Sequence, residues 1–158
     1  MPRIELQTEI NASKAIVFDL SRNIDLHKIS TEHTNETAIA GKTSGLIGMG
    51  EFVTWRAKHF GIYQLLTSKI TEFDRPNLFV DEMVKGAFKG FRHEHHFTDC
   101  NGGTLMTDYF EYESPFGILG KLADKVFLQK YMTDLLVERN RIVKDFAETD
   151  KWRKMVAE

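Results

Sequence analysis

The sequence predicts one α+β domain in which a curved antiparallel sheet of about seven strands wraps around a long C-terminal helix, with two short helices after the first strand. Three observations carry this expectation. Residues 3–10 alternate, with Ile4, Leu6, Thr8 and Ile10 on one face and Arg3, Glu5, Gln7 and Glu9 on the other, the signature of a half-buried strand. Five β-rich stretches then follow one another between residues 51 and 113 with links of a few residues. Links that short permit only antiparallel neighbours, because a parallel return needs a crossover of about a dozen residues or more. Beyond Pro115 the spacing of Leu119, Leu122, Val126, Leu136, Val143 and Phe146 changes to a helical period.

Taken in order, Asn11 is the expected N-cap of a first short helix through Ala15, Ile16, Phe18 and Leu20, since its side chain can accept from free backbone N–H groups. A second short helix runs through Leu26 and Ile29, and a polar strand follows near Glu36–Ala40. Glycines 41, 45, 48 and 50 mark a flexible connection. The five strands then cover roughly Glu51–His59, Ile62–Phe73, Leu78–Lys85, Gly90–Asp99 and Thr104–Glu113. The last helix, from about Ile118 to Phe146, is about 45 Å long at 1.5 Å per residue. It is the element long enough to cover the apolar face of such a sheet, which must be covered by something. The charged tail Lys151–Glu158 is expected to fray, and residues 1–158 read as a single domain.

Turn chemistry sets the register of two hairpins. Asn101-Gly102 suits a type I′ turn, in which both central residues need positive φ. Counting outward pairs Cys100 with Gly103, and then Phe97 with Met106, His95 with Asp108, His93 with Phe110 and Phe91 with Tyr112, these last four pairs on one apolar face. Arg92 opposite Glu111 and His96 opposite Thr107 fall on the other. A slip of one residue would break both the turn and the apolar match. With Phe60-Gly61 as a turn, His59 faces Ile62, Ala57 faces Gln64, Trp55 faces Leu66 and Val53 faces Ser68. For Leu78–Lys85 both parities contain apolar residues and one acid, so either Asp81 or Glu82 points inward.

Composition narrows the function classes. Apolar residues make up 42% and charged residues 28%, as in ordinary globular proteins. A formal charge of −2 gives no reason to expect nucleic acid, which demands a basic face. Cys100 is alone, so no intrachain disulfide or multi-cysteine metal knuckle can form. No apolar run approaches the about 18 residues that cross a bilayer, and charges interrupt the N-terminal segment, so neither membrane insertion nor a signal peptide is expected and the simplest compartment is the cytoplasm. The glycine-rich segment lacks the Lys-Ser/Thr ending of a phosphate loop, and no nucleophile elbow is present.

Several stretches together resemble the START-type, birch-pollen-allergen-like helix-grip superfamily (SRPBCC), in its bacterial polyketide-cyclase-like branch. They are Gly50-Glu51-Phe52-Val53-Thr54-Trp55-Arg56-Ala57 with His59-Phe60-Gly61, Ile70 with Asp74-Arg75-Pro76, Phe79-Val80-Asp81, Gly86-Ala87-Phe88, His93-Glu94-His95-His96-Phe97, Gly103-Thr104, Asp108, Tyr112 and Pro115-Phe116-Gly117-Ile118-Leu119-Gly120. The resemblance spans about residues 3 to 147. It implies a strand, two helices, six strands and a gripped helix with a hydrophobic tunnel between. Across the superfamily such tunnels hold lipids, sterols, polyketides, quinones or plant hormones, and it carries no catalytic residues over to this chain.

The expected function is therefore a cytosolic binding or carrier protein for a small, mainly hydrophobic ligand. The alternatives are a cyclase, dehydratase or isomerase using a His-Asp pair in the same cavity, and a structural or regulatory protein without catalysis. Candidate ligand-binding residues are Trp55, Gln64, Ser68, His93, His95, Phe97, Asp108, Phe110, Tyr112, Leu119, Leu122 and Val126. His95 and Asp108 are the candidates for acid–base chemistry, since a carboxylate beside an imidazole fixes its tautomer. The bland reading of the same pair is a buried charge with its obligatory partner, and aromatics at strand alternation are more often core than pocket. His93 and His95 share a face, as metal ligands do, but no third ligand is visible, so no metal or other cofactor is expected. A homodimer is compatible with the sequence.

Overall fold

The computed structural model describes residues 2–59, 61–86, 88–113 and 127–156. Among them, seven strands form one antiparallel sheet in the order β1-β7-β6-β5-β4-β3-β2. The strands are β1 (Arg3–Ile10), β2 (Thr37–Gly41), β3 (Phe52–His59), β4 (Ile62–Asp74), β5 (Leu78–Lys85), β6 (Gly90–Cys100) and β7 (Gly103–Glu113). Helices α1 (Lys14–Ser21) and α2 (Ile24–Ser30) follow β1, and α3 (Gln129–Glu148) and α4 (Trp152–Val156) follow β7. Irregularities between Thr67 and Ser68 and between Ile70 and Glu72 in β4, and at Ala38/Ala40 in β2, locally increase bend and twist.

Both predicted hairpin registers are present. Cys100 pairs with Gly103, Phe97 with Met106, His95 with Asp108, His93 with Phe110 and Phe91 with Tyr112. Asn101 and Gly102 have φ of 50° and 83°, as the turn requires. In the β3–β4 hairpin, His59 pairs with Ile62, Ala57 with Gln64, Trp55 with Leu66 and Val53 with Ser68.

Two local expectations need correction, and one open alternative is decided. The N-cap of α1 is Ser13, whose side chain accepts from the Ile16 N–H; the Asn11 N–H instead donates to Glu148 at the end of α3. The charged tail contains α4, in which Trp152, Met155 and Val156 pack against the core and the Met155 carbonyl accepts from Asn23. Three apolar side chains on one face outweigh the charges between them. Finally, Asp81 and not Glu82 is the acid of β5 that points inward. The described part of the last helix starts at Gln129, and its predicted beginning near Ile118 lies outside the described residues.

The inner face of the sheet meets two apolar clusters. One gathers Phe18 and Leu20 of α1, Leu26 of α2, Trp55, Phe79, Phe97 and Met106 of the sheet, and Val143 and Ala147 of α3. Phe18 is its centre, edge-on to Phe73, Phe79 and Phe97 with ring centroids 5.2–5.4 Å apart. Full burial of a side chain of that size contributes about 1.5–3 kcal/mol. The second cluster is Ile4, Phe91, Phe110, Tyr112 and Leu136. Along β6 the two are separated by His93 and His95, so a polar layer interrupts the core where the helix crosses the sheet.

Candidate ligand cavity and its polar wall

Between the sheet, α2 and α3 lies a cavity of about 560 Å³. That is within the about 300–1,000 Å³ usual for small-molecule sites, which are concave and mostly apolar. Its apolar lining comes from Ile24 and Ile47, from Val53, Trp55 and Ala57 of β3, from Leu66 and Ile70 of β4, and from Phe127, Leu128, Met132, Leu135 and Leu136 around α3. Strand alternation puts the β3 and β4 residues on one face.

Of the sequence candidates, Trp55, Gln64, Ser68, His93, His95 and Phe110 line this cavity. Phe97, Asp108 and Tyr112 do not. They face inward as counted, but each is at most 1% exposed and packed behind the lining. Parity decides the face, whereas depth depends on what the helices lay over it. Leu119, Leu122 and Val126 lie outside the described residues.

One wall of the cavity is polar and is assembled by three strands and a helix. β5 and β6 place Asp81 opposite His93 and Phe79 opposite His95, and β6 and β7 place His95 opposite Asp108. His95 Nε2 is 2.8 Å from Asp81 Oδ1, and His93 Nε2 is 2.8 Å from Asp108 Oδ1. The counted pair, His95 and Asp108, is also in contact, at 3.3 Å from Nδ1 to Oδ1, but it is the longer link of the network. Above it, α3 contributes Arg139, with Nη1 3.3 Å from Asp108 Oδ1, and Asn140, whose Nδ2 donates to Asp108 Oδ2 at 2.8 Å. Arg139 also donates to the Ser21 carbonyl at 3.1 Å and to the Asn140 side chain at 3.0 Å. The two imidazoles lie with centroids 3.7 Å apart, and His95 stacks on Phe79 at 4.1 Å.

Electrostatics fix the protonation of most of this wall. Burial acts to raise the Asp108 carboxyl, yet hydrogen bonds from His93 and His95 and the Arg139 charge outweigh it and hold it well below the ordinary carboxylate value. Burial works the same way on Asp81, where the His95 hydrogen bond and the charges of His95, His93 and Arg139 prevail and lower it. Burial, then repulsion from His95, brings His93 down to about 4 against the pull of Asp108. An uncompensated buried charge costs several kcal/mol, which explains why Asp108 collects four partners.

A second polar group lies on the β3 and α2 side of the cavity. His27 Nε2 meets Glu36 Oε1 at 2.6 Å and its ring lies 4.5 Å from that of Trp55. His59 Nδ1 meets the Tyr131 hydroxyl at 2.7 Å, tying β3 to α3.

Sequence counting missed Arg139 and Asn140 and left Asp81 as one of two alternatives. For Arg139 and Asn140 a signal exists: they sit at helical spacing between Leu136 and Val143, on the buried face of α3. Two polar residues on an apolar stripe need a buried partner, and Asp108 is that partner. Asp81 could not be counted, because β5 and β6 are joined by residues 86–89, which contain no two-residue turn signal from which to pair outward.

No protein-family model matches the sequence, and no curated protein matches it. Solved structures do match. The protein TTHA0849 from Thermus thermophilus superposes with a TM-score of 0.70 at 20% identity, over 90% of this chain and 97% of that one. Ginseng major latex-like protein 151 from Panax ginseng gives 0.68 at 17% identity, over 94% and 98%. The di-domain ARO/CYC StfQ from the steffimycin biosynthetic pathway gives 0.74 at 13% identity, over 92% of this chain and 50% of that one. Among the described residues no helix is long and apolar enough to cross a membrane. Sheet order, gripped helix and these likenesses agree: the chain has an α+β helix-grip fold like that of these solved structures.

Proposed function

We propose that this protein binds and carries a small, mainly hydrophobic ligand, of lipid, polyketide or quinone type, in the cavity between sheet and C-terminal helix. The observation that carries the reading is the cavity itself: about 560 Å³ of space whose walls are largely apolar and one of whose polar sides gathers Asp81, His93, His95 and Arg139. Apolar walls favour a hydrocarbon or aromatic body through the area they remove from water. The polar wall would orient an oxygen-bearing end of the ligand, with His95 and Asp81 as its contacts and Asp108 supporting them from behind. The superposed ARO/CYC StfQ, from a biosynthetic pathway, is consistent with a ligand of that kind.

Native mass spectrometry of the chain purified from its own host tests this. A co-purified molecule of a few hundred daltons, released by organic extraction, is the expected result. A chain that carries none and fails to take up a fluorescent fatty acid would refute the reading. A second reading, a cyclase, dehydratase or isomerase, is favoured by one observation: an imidazole–carboxylate pair, His95 with Asp81, faces the cavity with a hydrogen-bond length of 2.8 Å. Conversion of the extracted ligand by added protein, lost in Asp81→Asn with binding retained, would establish it over the carrier reading.

A further inference from the structure

The polar wall has the donor set of a transition-metal site. Asp81, His93 and His95 each offer one ligand atom, and these atoms lie within 4.8 Å of one another. All three residues line the cavity. Two imidazoles and one carboxylate on one side of an open space form the facial arrangement that holds a divalent metal while leaving coordination positions for a substrate or water.

What separates this cluster from a chance gathering is the layer behind it. Each imidazole turns one nitrogen toward Asp81 and the other toward Asp108. His93 Nδ1 is 4.0 Å from Asp81 Oδ1 while its Nε2 is 2.8 Å from Asp108 Oδ1. In His95 the nitrogens are exchanged: Nε2 is 2.8 Å from Asp81 and Nδ1 is 3.3 Å from Asp108. Metal-ligating histidines almost always donate their other ring N–H to a carboxylate, carbonyl or water, which fixes the tautomer and aims the lone pair. Asp108 does this for His93, while His95 Nδ1 lies 3.3 Å from Asp108 Oδ1 and accepts from Arg139 Nη2 at 3.3 Å. His93 Nε2 faces the Asp108 carboxylate at 2.8 Å, which leaves its Nδ1 on the Asp81 side.

We propose that Asp81, His93 and His95 bind a divalent first-row transition metal through Asp81 Oδ1, His93 Nδ1 and His95 Nε2, with Asp108 as the outer carboxylate and open positions toward the cavity. Metal–nitrogen distances of about 2.1 Å draw three donors to about 3 Å from one another, a contraction of about 1–2 Å from their widest present spacing. The site stands whether or not the cavity holds an apolar ligand.

The test uses the full-length chain without a histidine tag, dialysed against chelator and titrated with Co²⁺ alone. The expected result is saturable binding of one Co²⁺ per chain, with visible d–d absorption. Asp108→Asn should weaken binding about 10- to 100-fold, as loss of an outer partner does, and Asp81→Asn by more. His96→Gln changes a histidine that faces outward and bonds Glu94, and should bind as the parent does. Should a variant fail to fold by circular dichroism, imidazole ¹⁵N shifts of the parent on adding Zn²⁺ decide the matter. Changes at His93 Nδ1 and His95 Nε2 support the site. Absence of saturable binding, binding unchanged in folded Asp81→Asn, or shifts confined to other histidines would overturn it. Failure of the apolar-ligand reading shows in the mass spectrum and leaves the cobalt titration untouched.

Discussion

Asp19 shows how single buried charges are accommodated away from the cavity. It lies on α1 and is held by Arg22 Nε at 2.9 Å and by Arg75 through Nε at 3.0 Å and Nη2 at 2.6 Å. Arg75 belongs to the β4–β5 turn, so this pairing fastens the first helix to the far edge of the hairpin. Burial acts to raise the Asp19 carboxyl, but hydrogen bonds from Arg75 and Arg22 prevail and lower it from its ordinary 3.8. A carboxyl with a depressed folded-state pKa stabilises the fold above its unfolded value, and that contribution is lost as pH falls through the folded one. The protein should therefore lose stability as pH drops below 3.8, and Asp19→Asn should remove part of that dependence. Urea midpoints measured from about pH 5 to about pH 3 should fall less steeply in the variant. Parallel slopes for the two proteins would show that the Asp19 cluster does not carry the effect.

At the scale of elements, the hairpin from β6 to β7 organises the site. Its turn fixes the register, and the register places His93 and His95 within reach of Asp108. Gly102 meets nothing within 4 Å of where a Cβ would stand, so Gly102→Ala costs only the strain of its φ of 83°, roughly 1–2 kcal/mol. Gly103 is different: a Cβ there would lie 2.4 Å from the Ile10 carbonyl oxygen and 3.1 Å from the Asn11 Cα. Those are backbone atoms at the end of β1 and cannot rotate away. Gly103→Ala should force β1 and β7 apart and cost at least the about 1–3 kcal/mol of overpacking, more than Gly102→Ala, when both are compared by thermal denaturation. This hairpin was also the most legible part of the sequence, because Asn101-Gly102 and the apolar alternation around it are local signals that agree. Asp81 was illegible for the opposite reason, since β5 is apolar on both faces and its pairing to β6 depends on a longer connection. Arg139 and Asn140 sit some 30 residues along the chain from Asp108, and no local rule reports a contact of that kind. Fold was readable from periodicity; the wall of the cavity required knowing which side of three strands a distant helix would cover.

For the molecule as a whole, the decisive property is that, among the described residues, the sheet and α3 leave a cavity between them. A core packed to ordinary density leaves few voids larger than a water molecule. Among the described residues, two apolar clusters pack on the inner face, and a cavity lies against Trp55, Ala57 and Ile70. Enlarging a side chain in a filled core costs about 1–3 kcal/mol, but the same change into open space meets no such resistance. Ala57 is the place to apply this. It is small, lies on the inner face of β3 opposite Gln64, and lines the cavity without entering the polar wall. Ala57→Phe should fold as the parent does, with the same far-ultraviolet circular dichroism and a melting temperature unchanged or raised. Its ring should occupy the volume that the ligand's apolar body needs, and binding of a fluorescent fatty acid should weaken at least about tenfold, equivalent to about 1.4 kcal/mol. Cobalt binding at Asp81, His93 and His95 should be unaffected, because the substitution leaves those side chains and Asp108 in place. If fatty-acid binding persists at full strength in a well-folded Ala57→Phe protein, the ligand does not reside between β3 and α3, and the carrier reading of the cavity fails with it.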